Sequence, residues 1–544
     1  MVANILSGMA PEEKAEEFEV ELVELRVLDG PNRFFTRPAV KLEFSGETPR
    51  DAAAVARRAA AAIRAFHVRL DLPSPRTTAR HSVDRCRTAI AFPWRRRTIS
   101  QAIGAAAARV ALGRSTERRE LSGLRAVAMG PLPELARPRI PIVAVTGTNG
   151  KSTTSRLIAH VTGATGLNVG MTNSDGIHVR GELVEAGDWT GFGGASRILS
   201  EPNLDLAVLE TARGGILLRG IGYTGNVVSV VTNVSADHLG LQGIDTIEEL
   251  ADVKSAIVRI TRRTGWAVLN AEDPLAWEMR HRTHARLYAF SLAPRAAGVS
   301  EAIEGGGRAA VLHKGWLVLR SADRESRRVA RADELPVTVA GLSRYNIANA
   351  LAAAAACDAL GLEPEQIADG LRSFGADSAA NPGRLNLFER RGLFALVDFA
   401  HNEAGLLGLM DVARAVAGNN KVRLGFGTAG DRTDEILHRI ALLAATADDL
   451  VIAEKQHYLR GRDLDQMNAI LRAGVSEGGY EGEVDAATTE VGALQQLIGR
   501  ARRGDVCAVM AHVERSDLFG WLGEAGFRPV KLKRLRELIG LQRA

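Results

Sequence analysis

Val145-Thr146-Gly147-Thr148-Asn149-Gly150-Lys151-Ser152-Thr153-Thr154 follows the apolar run Ile140 to Thr146 and leads into a helical run, Arg156 to Val161. A strand, a glycine turn closing on Gly-Lys-Ser and a helix in that register make a phosphate-binding loop. The glycines permit the tight turn and expose backbone N–H groups, and the helix N-terminus adds positive potential. Gly147, Thr148, Asn149, Gly150, Lys151, Ser152 and Thr153 are thus candidate nucleotide contacts, with Lys151 reaching the terminal phosphates and the Ser152 hydroxyl placed to ligate Mg2+. A structural glycine turn before a helix is the plainer alternative. The general phosphate-loop spacing asks for glycine at position 145, where this chain has valine.

Outward from the loop, short apolar runs alternate with helical stretches, the pattern of a mostly parallel sheet covered by helices. Strands are expected at Ile140 to Thr146, Leu204 to Glu210 and Val227 to Asn233, a hairpin around Ala309 to Leu319, and a close-packing alanine-rich helix at Asn346 to Leu360. Glu210 ends one strand, and His238 follows the next in Ser235-Ala236-Asp237-His238. Carbonyl ends of parallel strands form the mouth of an α/β site. A carboxylate and an imidazole brought together there beside phosphates would hold a second Mg2+. Read singly, His238 is more often a hydrogen-bonded structural histidine.

A second alternating series has strands at Phe394 to Phe399, Val422 to Phe426, Leu450 to Ala453 and Val506 to Ala511, giving another α/β domain. Before the phosphate loop, Phe18 to Leu28 and Ala39 to Phe44 alternate like strands, Pro31-Asn32 breaks them, and helices are expected at 51 to 66 and Ile99 to Leu112. Prolines from Pro131 to Pro141 punctuate the junction. The expected fold is α/β, with a small α+β domain at 1–137, a central parallel-sheet ATPase domain at 138–382 and a Rossmann-like α/β domain at 383–544.

Composition sets limits around this frame. A chain of 544 residues needs several cores, and 46% hydrophobic with 24% charged residues is ordinary globular usage. Sixty-nine Lys and Arg against 64 Asp and Glu leave only +5, and Arg95-Arg96-Arg97 is best read as a solvated face, so no nucleic-acid partner is expected. Three scattered cysteines fit neither a disulfide framework nor a metal cluster, which suits a reducing compartment. With no signal-peptide pattern and no long apolar run, a cytoplasmic protein without a membrane partner is expected.

The short form Thr-Gly-Thr-Asn-Gly-Lys-Ser-Thr resembles the Mur ligase family, which includes cell-wall peptide ligases, folylpolyglutamate synthetase and the ligase half of cyanophycin synthetase. Glu210 and His238 stand where that family places metal-binding residues, and Lys254 matches a lysine that many members carbamylate to hold the second Mg2+. A surface lysine on an amphipathic helix is its bland reading. Leu342 to Leu351 resembles the family's adenine-binding helix start, so Asn346 and Asn349 are expected at the base edge, although Tyr345 stands where many relatives have histidine. Pro382-Gly383-Arg384 and Asp398-Phe399-Ala400-His401 look like the linker arginine and the Asp-Tyr-Ala-His motif, which implies phosphate contact for Arg384 and ribose contact for Asp398.

The likeness is nearest to cyanophycin synthetase at Leu209 to Leu217, Ser235 to Leu241, Gly430-Asp431-Arg432 and Leu459-Arg460-Gly461-Arg462, and the first domain echoes it at Leu28 to Asn32 and Ala91 to Arg97. The ATP-grasp domain that lies between these parts in that enzyme is missing. The resemblance implies an ATP- and Mg2+-dependent ligase that joins an amino acid to a peptide-like carboxylate through an acyl phosphate. Lys151, Glu210, His238 and Lys254 would carry catalysis, and His401, Asp431, Arg432, Arg460 and Arg462 are candidate substrate contacts; a homo-oligomer is compatible with it. A folylpolyglutamate- or cell-wall-type ligase, and a non-catalytic nucleotide-binding partner of a separate ATP-grasp ligase, are the alternatives.

Overall fold

A computed structural model describes residues 20–543 except 83, 85, 238, 324, 376–378 and 431. The chain divides into two compact units, one running to Leu28 and resuming at Arg37–Glu134, the other comprising Asp29–Thr36 and Leu135–Ala544. The sequence-based division put 29–36 with the first domain. That segment belongs instead to the second unit: Arg33 pairs with Asp252 at 2.9 Å and Glu249 at 3.2 Å, and a Cβ on Gly30 would lie 1.8 Å from the Ile221 carbonyl oxygen.

The first unit is a four-stranded antiparallel sheet in the order Glu21–Leu28, Ala39–Ser45, Arg87–Pro93, Thr78–His81. Helices Pro49–Arg69 and Arg97–Ala111 bury alanine-rich faces with Val40, Leu42, Phe44, Ile90 and Phe92 of the sheet. Phe18, expected to begin the first strand, lies outside the described residues.

In the second unit an eleven-stranded sheet carries seven consecutive parallel strands: Arg308–His313, Arg286–Ser291, Thr261–Asn270, Asn226–Val231, Ile142–Thr146, Leu206–Glu210 and Val169–Thr172. Antiparallel strands extend both edges. The phosphate-loop strand Ile142–Thr146 is buried throughout and sits between the strands ending at Glu210 and Val231. Its valines, with Val208, Val230, Leu157 and Ile158, form a core on one face, where burial contributes roughly 1.5–3 kcal/mol per large aliphatic side chain. Helix Arg344–Ala359 packs against the same face; Ala350 and Ala352 to Ala356 are wholly buried, so small side chains allow close contact.

The remaining sheet has seven strands, five of them parallel: Asp485–Ala487, Asp449–Ala453, Val422–Phe426, Val506–Met510 and Leu393–Asp398. Asn386–Arg390 and the short Arg528–Pro529 complete it antiparallel. The strands expected in these two larger sheets are therefore present within one or two residues of their ends.

Candidate active site

Gly147 to Gly150 leave the carboxyl end of Ile142–Thr146 and feed helix Lys151–Gly163. Gly150 has φ 84°, and a Cβ there would lie 2.2 Å from Asn349 Oδ1. The residues just after the neighbouring strand Asn226–Val231 hold the loop from behind: Thr148 N donates to Asn233 O at 2.9 Å, Asn149 N to Asn233 Oδ1 at 2.9 Å, and Thr232 Oγ1 to Asn149 O at 2.6 Å. Fixed backbone N–H groups at a helix N-terminus constitute a preorganised anion cradle.

Glu210 lies at the end of the adjacent strand, 3% exposed, and its Oε2 has no hydrogen-bond partner. Burial pushes its carboxyl up, while the Lys151 ammonium and the Ser152 hydroxyl favour the ionised form. Lys254 ends helix Ile247–Lys254, whose start is fixed by a capping box between Thr246 and Glu249. It is buried and donates from Nζ to Gly147 O at 2.7 Å. Desolvation, with the Lys151 charge nearby, lowers its pKa to about 7. The solvated-lysine reading of position 254 is excluded by this burial. His238 lies outside the described residues.

These groups open into a cleft of about 1000 Å3 whose opposite wall is the Rossmann-like sheet's Asp398, Phe399, Ala400, His401 and Arg460, with Arg384 between. Asp398 accepts the Leu385 N–H at 2.8 Å; burial raises its pKa to about 6 against the pull of Arg384. The Arg384 guanidinium stacks 4.4 Å from the Phe399 ring centroid. Asn349 lines the cleft. Asn346 does not, because its amide donates to Val337 O at 2.8 Å and accepts from Asn349 at 3.0 Å.

Side-chain contacts link the two α/β parts around the cleft. Asn149 and Asn402 exchange amide hydrogen bonds of 3.2 and 3.0 Å. Arg515 reaches Asp175 at 2.6 Å, and Arg432 reaches Asp237 at 2.6 Å. His401 Nε2 lies 3.7 Å from the other Asp237 oxygen. Arg432 is thus committed to the closure contact, and Arg462 to Asp434 and the Arg432 carbonyl, so neither lines the cleft, whereas His401 and Arg460 do. Asp431 lies outside the described residues.

The cleft also contains Asp188, Arg213, Asp237 and Asp273, none of them singled out from sequence. Asp273 caps helix Pro274–Glu278 and accepts Val234 N–H, so an aspartate directly before an N1 proline was a readable signal.

The Mur ligase middle domain matches residues 145–357, and the Mur ligase glutamate ligase domain matches residues 383–513. The chain belongs to the Mur ligase family. This Mur ligase is 38% identical to cyanophycin synthetase of Trichormus variabilis over 401 residues, 74% of this chain and 43% of the relative. Cyanophycin synthetase of a Synechocystis species is 41% identical over 364 residues, 66% of this chain and 41% of that one. The chain spans less than half the length of these curated relatives. Among solved structures, a bifunctional folylpolyglutamate synthase/dihydrofolate synthase with Mn, AMPPNP and L-glutamate bound superposes with a TM-score of 0.53 at 18% identity, covering 72% of this chain and 91% of that one. Escherichia coli FolC in complex with ADP gives 0.52 at 18% identity, covering 72% and 90%. Among the described residues of this Mur ligase, no helix is long and apolar enough to cross a membrane.

Proposed function

We propose that this Mur ligase is an ATP-dependent carboxylate–amine ligase that joins an amino acid to a carboxylate of a peptide-like acceptor, as the likeness to cyanophycin synthetase suggests. The observation that carries the reading is one cleft in which the phosphate loop, Glu210 and Lys254 face Asp398, Arg384, His401 and Arg460. Backbone N–H groups of Gly150, Lys151 and Ser152 at the helix start cradle the ATP phosphates, Lys151 compensates charge on the transferring phosphoryl group, Asn349 meets the base, Asp398 accepts from the ribose and Arg384 reaches the phosphates.

The donor chemistry suits a hard divalent cation such as Mg2+: a buried carboxylate with one uncommitted oxygen, Glu210, stands beside the Ser152 hydroxyl. His238 would complete that set, with Lys254 if carbamylated; among the described residues no three His, Cys, Asp or Glu side chains cluster to hold a metal. When bound, the cation neutralises phosphate charge. Lys254, with a pKa of about 7, is partly neutral at physiological pH, and only a neutral amine attacks carbon dioxide to form a carbamate.

The acceptor carboxylate oxygen attacks the γ-phosphorus and ADP leaves. The neutral amine then attacks the acyl carbon, phosphate departs with the C–O bonding pair, and the amide nitrogen loses its proton. His401, paired with Asp237, and Arg460 lie on the wall from which the amine approaches. The crossing contacts at Asn402, Arg515 and Arg432 hold that wall against the phosphate loop, which excludes water from the acyl phosphate.

The test is phosphate release from ATP and Mg2+ across panels of acidic peptides and single amino acids, with mass spectrometry of products and Lys151→Ala as control. A product heavier by one amino acid less water, absent in the variant, is expected. ATP binding without stimulated release by any pair would turn the reading toward a nucleotide-binding partner of a separate ligase; turnover with folate or muramoyl peptides alone would reassign the acceptor.

A further inference from the structure

Behind the wall that carries His401 lies a buried charged network that the proposed chemistry does not use. Lys455, just after strand Asp449–Ala453, has a left-handed backbone with φ 49° and ψ 50°. Its side chain is 1% exposed, yet its ammonium finds three acceptors: Met510 O at 2.8 Å, His512 Nδ1 at 2.7 Å and Glu490 Oε1 at 3.0 Å. Glu490 also accepts backbone N–H groups from His512 at 2.7 Å, Val513 at 3.2 Å and Glu514 at 2.9 Å. Because an ammonium only donates, His512 Nδ1 is the acceptor and Nε2 carries the proton, which it gives to Ala400 O at 2.6 Å. Every side-chain polar atom of Glu490, Lys455 and His512 is committed.

Ala400 is flanked by Phe399 and His401, and all three line the cleft. The Lys455 turn leads to Arg460, also left-handed at φ 50° and also in the cleft. Gly430 N donates to Tyr458 O at 3.0 Å, and a Cβ on Gly430 would lie 1.9 Å from Leu459 O, so the loop bearing Arg432 rests on the same turn. Strained non-glycine backbone persists where its surroundings over-determine it, and buried ions are tolerated only with complete partners.

We propose that Lys455, Glu490 and His512 are positioning residues that fix the separate loops of the amine-side wall relative to one another, so that His401 and Arg460 present one geometry to the incoming amino acid. That role rests on the amine-side reading of this wall, but the geometric claim is tested without it. Hydrogen–deuterium exchange of the full chain, read by mass spectrometry, compares His512→Asn, which keeps an acceptor for Lys455 but loses the reach to Ala400, with His512→Gln, whose amide nitrogen replaces the Nε2 donor. Exchange in 399–402 should rise at least about tenfold in His512→Asn and return to the wild-type rate in His512→Gln, while exchange in 142–146, in the other sheet, stays unchanged. The double variant Lys455→Met/Glu490→Gln, which leaves neither charge unpaired, should accelerate exchange in 455–462 and 511–515 together. Wild-type exchange in 399–402 of His512→Asn, equal acceleration in both His512 variants, or wild-type exchange in either segment of the double variant would overturn the proposal. Failure of the amine to bind a rigid wall would count against the proposed function instead.

Discussion

Asp398→Asn tests the electrostatics of the cleft. The carboxylate is 5% exposed, and burial raises its pKa to about 6 even though Arg384 and the Leu385 and Ala400 N–H groups favour the anion. Unfolded aspartate titrates near about 3.9. Between those values the folded chain holds a proton that the unfolded chain has released, so stability falls as pH rises through this window. Below it the cost of ionisation is absent; above about pH 6 it is complete. Two units at about 1.36 kcal/mol each give a cost of about 3 kcal/mol. Asparagine removes that cost and still accepts from Leu385, but it turns an N–H toward Ala400 N–H, losing about 1–2 kcal/mol at every pH. The variant should therefore be less stable than wild type at pH 4.5 and more stable, by about 1–2 kcal/mol, at pH 8. Calorimetry at the two pH values reads the change of sign. A midpoint shift of the same sign and size at both would refute the buried-carboxylate argument. Loss of the charged acceptor should also weaken ATP binding at pH 8 about 10- to 100-fold if Asp398 holds the ribose.

Gly150→Ala forces a left-handed alanine against Asn349, costing about 1–2 kcal/mol for the backbone before the clash, and should abolish binding of a fluorescent ATP analogue while leaving most helicity by circular dichroism. Lys254→Met should remove activity that bicarbonate restores to wild type after carbon dioxide is stripped; in wild type that restoration should be greater at pH 8 than at pH 6, because the amine loses its proton through about pH 7. Arg515→Ala removes one of two arginines on Asp175, since Arg156 also pairs with it, so a modest stability loss of about 1–2 kcal/mol should accompany a larger rise in ADP-forming hydrolysis without amide product.

Strand, turn and helix around Lys151 could be read from the chain because each is a local signal: an apolar run, glycines where the backbone turns, and a helix start in register. The same holds for Glu210, which needs only to end a buried strand, and for the order of alternating elements that fixed an α/β class. Burial of Lys254 could not be read that way; its helix is short and half polar, and only the fold sets its last turn beneath Gly147 O, where desolvation takes the amine to about 7. Asn346 and Asn349 look interchangeable in sequence, but helix rotation against Val337 spends one amide inside and leaves the other in the cleft. Arg460 and Arg462 are two residues apart, and the left-handed turn at Arg460 sends one to the cleft and the other to Asp434. The sequence determined which elements exist and which chemistry the loop serves, since those depend on neighbours along the chain. Tertiary structure alone decided which side chains face the cleft and what charge they carry, because burial and long-range partners depend on residues hundreds of positions away.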